Sequence, residues 1–466
     1  MTTIAATAVP TPSGESLFGH PKGLTYLAGT ELFERISFHG MQALLVLYMV
    51  EQLLLPGHVE QIVGFVTFRA VIEGITGPLS TQALASQIFG LYVGLVYFTP
   101  VLGGLVGDRL LGRRGAVALG ALLMTAGHFC MAFDESFLLA LLLLILGAGC
   151  LRGNLISQLG NLYPPDDRRR ADGFQIYFTM VNVGAFIAPL ATGALGEVYG
   201  WHYGFGFAGF GMLIGLLLYL AGQRHLPPEA ARVRGAPRAQ LSHSERRTVR
   251  YLLALLPMAA AFWVAQAQIW NVYNLWVRDH VDLNVGGWRM PVPWLQAVDS
   301  LGVVMLVVPL ALLWRSQAKR GTEPGDLTKA GIGCLLFAGS VLWLSAADLV
   351  VGANGKVPLL WAIAFHFLSA IGWLYFAPII VALVSKSAPP SVNALMIGVY
   401  YLSIFAGSTI SGRLGGLYEQ LSPAAFWGLH AAIVGSAGVV LLALSGPLVR
   451  GLTPRAKSSL LSGGKL

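Results

Sequence analysis

The stretch that decides the fold is "GGLVGDRLLGRRG", residues 103–115, which lies between two long apolar segments. Gly103, Gly104 and Gly107 close the first segment, and glycines at such spacing let neighbouring helices approach closely. The charged residues that follow are Asp108, Arg109, Arg113 and Arg114. We expect a short charged turn at a membrane surface that locks against adjacent helix ends.

The composition of the whole chain agrees with a membrane protein. Hydrophobic residues make up 55% of the 466 positions, and only 11% are Asp, Glu, Lys or Arg, which is about half the usual share in globular proteins. Apolar stretches long enough to cross about 30 Å of hydrocarbon recur along the chain. We therefore attribute the net charge of +8 to cytoplasmic loops and expect no nucleic-acid partner.

The apolar stretches predict an all-α polytopic membrane protein with twelve transmembrane helices in two halves. We place them at residues 24–53, 84–107, 115–133, 136–159, 172–197, 202–222, 249–277, 293–314, 328–349, 357–385, 391–416 and 423–446. A polar, Pro- and Arg-rich linker, residues 223–248, separates an N-terminal six-helix half, residues 1–222, from a C-terminal half, residues 249–466.

The distribution of Lys and Arg predicts the orientation. If both termini are cytoplasmic, most of the 30 basic residues fall in cytoplasmic segments, as the positive-inside rule requires. The basic residues outside are Arg69, Arg278, Arg289 and Lys356. We expect a multi-pass plasma membrane protein, with residue usage that suggests a bacterial inner membrane. Two halves with a cytoplasmic hinge suit alternating access around a central site.

Three charges lie inside the first predicted span, in "ELFERISFHG", residues 31–40. Glu31, Glu34 and Arg35 share one face of a helix. A charge near the bilayer centre costs about 2.5–3.5 kcal/mol on insertion scales. These side chains must therefore be paired, hydrated or both.

Longer blocks give the chain a family resemblance. They are "ELFERISFHG", "LVYFTPVLGGLVGDRLLG" at 95–112, the continuous segment 153–206 that begins "GNLISQLGNLYPPDDRRRADGFQIYF", and "MIGVYYLSIFAG" at 396–407. The chain resembles the proton-dependent oligopeptide transporter (POT) family of the major facilitator superfamily over nearly all twelve spans. The resemblance implies a major facilitator fold and inward transport of di- and tripeptides driven by the proton gradient, with no other cofactor. Residues 223–248 are too short and polar for the two extra helices of many bacterial members.

The resemblance also implies roles for the charged residues. The E-x-x-E-R signature of the family is complete as Glu31, Glu34 and Arg35. A buried carboxylate beside a guanidinium can be paired or protonated, which is the two-state behaviour that proton coupling needs. We expect Glu31 and Glu34 to be the protonatable pair with Arg35 as their partner. The alternative is a static ion pair that holds the first span to its neighbours.

Several positions depart from the family pattern. Gln42 and Ala267 stand where the family commonly has an Arg and a Glu, so one ion pair is missing as a whole. Arg152 replaces the usual lysine of the fourth span, and it grips carboxylates bidentately. Trp373 replaces the glutamate that resemblance would assign to the peptide amino terminus, and an indole offers only a cation–π face.

Asp299 stands where the family usually has asparagine. It is either a second proton site or cation partner, or it pairs with Arg152 or hydrogen-bonds within the bundle. The expected substrate-binding residues are Arg152, Asn182, Gln268, Trp373 and His39. His39 can titrate near neutrality, although a lone His on a helix is more often structural, which is also our interpretation of His128, His366 and His430.

The leading hypothesis is a proton-coupled symporter that imports di-/tripeptides or peptide-like small solutes. The alternatives are the same fold with another cargo, such as an anion, a modified amino acid or a secondary metabolite, imported or exported, and a non-transporting sensor. We expect no enzyme, because the sequence has no Gly-rich phosphate loop, metal-ligand cluster or nucleophile with a nearby base. The expected partners are a small-molecule or peptide substrate and the lipid bilayer, and the expected state is a monomer.

Overall fold

The helices of this chain account for nearly all of its described structure. The computed structural model describes residues 16–452 apart from residues 18, 165, 230–240 and 353–354. Its α-helices are, in chain order, α1 Lys22–Tyr48, α2 Phe65–Thr76, α3 Thr81–Phe98, α4 Pro100–Val106, α5 Gly112–Cys130, α6 Phe137–Asn161, α7 Arg169–Tyr199, α8 Trp201–Gly222, α9 His243–Ala254, α10 Leu256–Ala267, α11 Val272–His280, α12 Trp294–Lys319, α13 Asp326–Ser345, α14 Ala347–Val351, α15 Leu359–Ser387, α16 Asn393–Gly415 and α17 Pro423–Leu452. The prediction of an all-α polytopic membrane protein is confirmed.

The strands are short and lie in the connections between helices. They are β1 Ser16–Leu17, β2 His20–Pro21, β3 Val281–Asp282, β4 Asn284–Val285, β5 Trp288–Arg289 and β6 Val357–Pro358. β1 pairs with β2 and β4 with β5 in antiparallel hairpins, while β3 pairs with β6 in parallel. The β3–β6 pair ties the chain after α11 to the start of α15.

Each of the twelve predicted spans coincides with helix. Ten helical stretches of the described residues are long and apolar enough to cross a membrane, and one of them, Thr81–Cys130, holds two predicted spans. α1 is not among the ten, and it carries Glu31, Glu34 and Arg35. Its 27 residues are nevertheless about 40 Å long at 1.5 Å per residue, enough to span a bilayer.

The seventh predicted span differs most from expectation. We placed it at 249–277, whereas helix begins at His243, where Ser242 and Glu245 form a reciprocal capping box. The span is then divided into α9, α10 and α11, with a break at Asn271, whose φ and ψ are −108° and −106°. This break points the Asn271 and Asn274 side chains into the bundle.

The sequence analysis missed helix α2, which lies between the first two spans. Its Phe65 and Ile72 are buried, and its Arg69 and Glu73 pair with each other at 2.9 Å. Its Val66, Val71 and Ile75 are strongly exposed. At 12 residues, α2 is too short to be recognised as a membrane span.

Packing divides the helices into groups on either side of the linker. α1 packs on α7 and α8, and α5 packs on α6, while α13 packs between α15 and α17. The two groups meet along α3 with α16 and along α7 with α12. At the first of these seams a side chain on Gly90 would overlap α16 at Ser408 and Gly412, so glycine is required there for the backbones to approach.

The two ends of the bundle are named here by the linker. α8 ends and α9 begins at the linker end, and the start of α1 lies there too, since Gly23 is close to His225 and Leu226. The opposite end is called the far end; it holds α2 and the β3–β6 pair.

Candidate functional site

A charged cluster lies inside the bundle where α1, α6 and α7 meet. Arg35 Nε donates to Glu31 Oε1 at 2.7 Å, and Tyr177 on α7 donates its hydroxyl to Glu31 Oε2 at 2.5 Å. Arg152 Nε on α6 donates to Glu34 Oε1 at 2.9 Å, while Arg35 Nε lies 3.0 Å from Glu34 Oε2. The structure brings together every residue of the E-x-x-E-R signature and adds Arg152 and Tyr177.

The charges of this cluster cancel, because two carboxylates face two guanidinium groups. Glu34 is fully buried and Glu31 is 2% exposed, so removal of a single partner would leave a buried charge at a cost of about 3–5 kcal/mol. The Arg152 guanidinium lies 3.9 Å from the centre of the Phe38 ring, a cation–π contact. Arg152 Nη2 and Glu34 Oε2 are buried without a hydrogen-bond partner among the described residues.

A central cavity of about 250 Å³ lies between the two groups of helices. Its lining residues come from both sides of the linker: His39, Gln42, Phe89, Val93, Tyr97, Val181, Asn182, Ala185, Trp263, Gln266, Ala267, Trp270, Asp299, Ser300, Val303, Trp373, Ile404 and Ser408. Tyr97 joins the cavity to the charged cluster, because its ring centre lies 5.6 Å from the Arg152 guanidinium.

Contacts between the two groups of helices seal the cavity on its far-end side. Trp294 Nε1 donates to the Leu190 carbonyl oxygen at 3.0 Å, and the Val292 amide donates to Glu197 Oε1 at 3.0 Å. Asn271 Nδ2 donates to Ser86 Oγ at 2.6 Å.

An ion pair adds to this seal, since Arg278 Nη1 donates to Glu51 Oε1 at 3.0 Å. These contacts, together called the far-end seal, tie α11, α12 and the residues just before each of them to α3, α7 and the segment that follows α1.

Four of the expected substrate-binding and proton-coupling residues line the central cavity: His39, Asn182, Asp299 and Trp373. Gln42 and Ala267 also line it. The positions at which the family commonly has an Arg–Glu ion pair are therefore part of the cavity wall. His39 Nδ1 is buried without a described hydrogen-bond partner, and its ring centre lies 5.2 Å from that of Trp270. Asn182 Nδ2 donates to the Phe178 carbonyl oxygen of its own helix at 2.8 Å.

The expectation that Gln268 lines the cavity does not hold. Gln268 is fully buried, and its Nε2 donates to the Ser411 carbonyl oxygen at 2.9 Å and to His430 Nε2 at 3.0 Å. His430 Nδ1 lies 2.9 Å from the Phe426 carbonyl oxygen, so it carries the proton that leaves Nε2 as an acceptor. Gln268 joins α10 to α16 and α17 because the turn at Gln268–Trp270 rotates its side chain away from the cavity.

The partner of Asp299 is His366, which the sequence analysis treated as structural. His366 Nδ1 lies 3.5 Å from Asp299 Oδ1, and Arg152 is not the partner. One sequence signal could have found this pair. His366 lies seven residues before Trp373, so both residues lie on the same face of one helix. Because Trp373 and Asp299 were both expected at the cavity, this spacing brings His366 to the same side of the helix as the cavity.

Tyr177, the hydroxyl partner of Glu31, was also missed. The quoted segment 153–206 contains it in "FQIYF", but an aromatic residue in an apolar run gives no sign of which carboxylate it meets. His128 also contacts α1, since its Nε2 lies 2.5 Å from Ser37 Oγ.

The glycine-rich turn, residues 103–115, lies at the linker end. A side chain on Gly103 would overlap the backbone of Gly149, and one on Gly107 would overlap Asn154. Gly104 meets nothing within 4 Å, so the expected close packing at Gly104 is wrong. Glycine spacing alone does not say which glycine faces the neighbouring helix.

The charged residues of the turn act at the protein surface. Arg113 Nε lies 3.5 Å from Asp108 Oδ1, and both side chains are exposed. Arg114 donates its amide to Glu229 Oε1 at 2.6 Å and its guanidinium to the Leu226 carbonyl oxygen at 2.7 Å. Gly112 takes a φ of +76°, which favours glycine. The turn is thereby locked to the first residues of the linker.

Membrane-spanning helices in two groups, packed around a central cavity with buried ion pairs beside it, define a secondary transporter. The family model described as "POT family" matches residues 114–231 and 231–427. The chain belongs to the POT family, as the sequence resemblance predicted.

Curated relatives agree with this family. The chain is 28% identical over 511 residues to "Peptide transporter YePEPT" of Yersinia enterocolitica subsp. palearctica serotype O:3 (strain YE-P4), covering 94% of this chain and 96% of the relative. It is 25% identical over 503 residues to "Di-/tripeptide transporter" of Lactococcus lactis subsp. cremoris, covering 94% and 97%.

Solved structures confirm the major facilitator fold. A mutant of peptide transporter POT in complex with alafosfalin matches with a TM-score of 0.81 and 27% identity over 96% of this chain and 98% of that chain. Peptide transporter POT in complex with sulfate matches with a TM-score of 0.81 and 27% identity over 95% and 97%.

Proposed function

We propose that this protein is a proton-coupled symporter that imports di-/tripeptides or peptide-like small solutes by alternating access. The observation that carries the proposal is the position of Glu34, which is fully buried between Arg35 and Arg152 beside the central cavity. Two of the curated relatives of this chain are named as a peptide transporter and a di-/tripeptide transporter, and a solved relative holds the peptide-like ligand alafosfalin.

The cluster couples proton binding to cargo binding through Arg152. While Glu34 is ionised, its Oε1 occupies Arg152 Nε. Protonation of Glu34 removes the charge that holds the guanidinium, and Arg152 is then available to bind a cargo carboxylate bidentately. Arg152 Nη2, which has no described hydrogen-bond partner, is the second donor for such a pair. Loss of the proton returns Arg152 to Glu34 and releases the cargo.

We propose that the described conformation exchanges cargo on the linker side, because the far-end seal closes the opposite side of the cavity. We propose that the linker end is cytoplasmic, with both termini there, because the basic residues concentrate in the segments at that end. A cavity closed at the far end then exchanges cargo with the cytoplasm. The proposal includes the plasma membrane of a bacterium as the location, a monomer as the working unit, and the proton gradient as the driving force without another cofactor.

The test is uptake of radiolabelled dialanine into proteoliposomes with an acidic exterior, with and without a protonophore. We expect gradient-driven accumulation in the wild type and a fall to the protonophore level in Glu34→Gln, which keeps the shape but cannot exchange a proton. Glu60→Gln is the matched control, since Glu60 is an exposed residue that accepts a hydrogen bond from the Gly57 amide. Accumulation in Glu34→Gln equal to the wild type contradicts the assignment.

A second candidate is the same transporter with a non-peptide cargo, and Trp373 is the observation that favours it. Trp373 lines the cavity and cannot neutralise a peptide ammonium group. Wild-type protein that transports an anionic or amino-blocked solute but not dialanine would select this candidate. Ligand binding without accumulation of any cargo would instead indicate a non-transporting sensor. The observation behind this alternative is that Gln42 and Ala267, which line the cavity, are uncharged.

A further inference from the structure

Asp299 holds the one carboxylate among the described residues that line the central cavity. Its side chain is 18% exposed, so one edge faces the space in which cargo would sit. The carboxylates of Glu31 and Glu34 do not line the cavity and are neutralised by Arg35 and Arg152. Asp299 is therefore the acidic residue that faces the cavity, and no lysine or arginine is among the described lining residues.

The resident partner of Asp299 holds it weakly. In the described part of the chain its ion-pair partner is His366, at 3.5 Å, which is longer than the 2.7–3.2 Å of an ordinary N–H···O hydrogen bond. His366 is itself fully buried, and its Nε2 has no described hydrogen-bond partner. A ligand that donates shorter hydrogen bonds to Asp299 would therefore compete successfully for it.

Among the described residues that line the cavity there is no lysine or arginine. α12 contributes Asp299, α15 contributes His366, and α11 contributes Tyr273, whose ring centre lies 5.1 Å from that of His366. The Tyr273 hydroxyl is also buried without a described partner. The spacing of α12 and α15 is fixed by Gly302, where a Cβ would come within 3.2 Å of the Ala370 Cβ. In the described part of the chain, His366 is the ion-pair partner of Asp299.

The rest of the cavity wall favours a cation. Trp263, Trp270 and Trp373 line the same space as Asp299, and indole faces attract ammonium groups. The cavity volume of about 250 Å³ lies below the 300–1,000 Å³ of pockets for drug-sized ligands. The wall therefore suits a small solute with one positively charged amine.

We infer that Asp299 binds the protonated amine of the cargo, with Trp373 as the aromatic wall and His366 as a positioning residue. The inference rests on the proposed function and names the chemical class of its substrate: small zwitterions with a free amino group, dipeptides included. Arg152 on α6 and Asp299 on α12 stand on opposite sides of the linker in sequence, so one zwitterion bound by both joins the two groups of helices.

The test compares dialanine with N-acetyl-dialanine, measured as equilibrium dissociation constants by calorimetry on the purified full-length protein. We expect the wild type to bind dialanine at least about tenfold more tightly, as one hydrogen bond to a charged group allows. Asp299→Asn should bring this ratio close to one, and Asp299→Glu should restore part of it. Asp282→Asn, an exposed residue whose Oδ1 accepts from the Asn284 amide, is the matched control that keeps the ratio.

The role of His366 has its own readout. His366→Ala should weaken dialanine binding and leave N-acetyl-dialanine binding unchanged, and His366→Gln, which keeps a donor, should recover part of the loss. An equal loss for both ligands in His366→Ala would show a merely structural role.

Four results bear on the inference or separate it from the proposed function. An unchanged ratio in Asp299→Asn overturns it, and so does the absence of dialanine binding to the wild type. If Asp299→Asn does not fold, unchanged dialanine affinity in both His366→Ala and Trp373→Leu overturns it. Dialanine binding without proton-driven uptake, measured in parallel, counts against the transport function alone.

Discussion

The Arg152 side chain shows how one residue serves two neighbours. Its Nε binds Glu34, its guanidinium face covers the Phe38 ring, and its Nη2 is buried without a hydrogen-bond partner among the described residues. A lysine has a single nitrogen that could reach either Glu34 or a cargo carboxylate, and it lacks the planar face for stacking. The sequence indicated the substitution, but only the folded structure shows the contacts with Glu34 and Phe38.

At this scale we predict the effect of Arg152→Lys. The variant should keep proton-dependent uptake of dialanine, since the positive charge is retained, while KM rises about tenfold through loss of the bidentate contact. Steady-state uptake kinetics in proteoliposomes measure this. Arg169→Lys is the control, because Arg169 pairs with Asp167 at the exposed start of α7. An unchanged KM in Arg152→Lys would remove Arg152 from the cargo site.

At the scale of elements, α4 and α6 are held together by backbone contact. The contact at Gly103 and Gly149 is possible because neither residue has a side chain, as in other closely packed membrane helices. Residues before and after a contact glycine lie about 100° away around the helix. That rotation separates Gly103, which faces α6, from Gly104, which meets nothing within 4 Å.

The adjacent pair Gly103 and Gly104 therefore gives a matched stability test. Gly103→Ala should destabilise the protein by about 1–3 kcal/mol, the usual cost of overpacking. Gly104→Ala should be neutral or stabilise by up to about 1 kcal/mol, because alanine is the better helix former. Thermal unfolding midpoints in detergent measure both variants. Equal midpoints would mean that α4 and α6 do not approach as described.

At the scale of the whole molecule, the far-end seal decides which side of the cavity is closed. It is built from single polar contacts such as Arg278 with Glu51, and exposed ion pairs contribute only about 0–1 kcal/mol. A seal made of several weak contacts can open without a large barrier, as alternating access needs.

We predict that a covalent lock across this seal stops transport. With Cys130, Cys150 and Cys334 replaced by serine, Glu51→Cys with Arg278→Cys should lose dialanine uptake after a short bis-methanethiosulfonate linker is added, and regain it with dithiothreitol. Arg69→Cys with Glu73→Cys is the control, because that ion pair lies within α2 alone. Full uptake by the cross-linked Glu51 and Arg278 pair would show that the seal need not open.

The sequence alone determined the membrane class, the helical spans, the family and the signature residues of α1, because hydrophobic length and i, i+3, i+4 spacing are local properties of the chain. It could not determine which residues from distant helices meet. Tertiary structure decided that Asp299 meets His366 rather than Arg152, that Tyr177 meets Glu31, and that Gln268 turns away from the cavity. The physical reason is that these contacts depend on the rotation of each helix about its axis and on local breaks. Packing against other helices sets both.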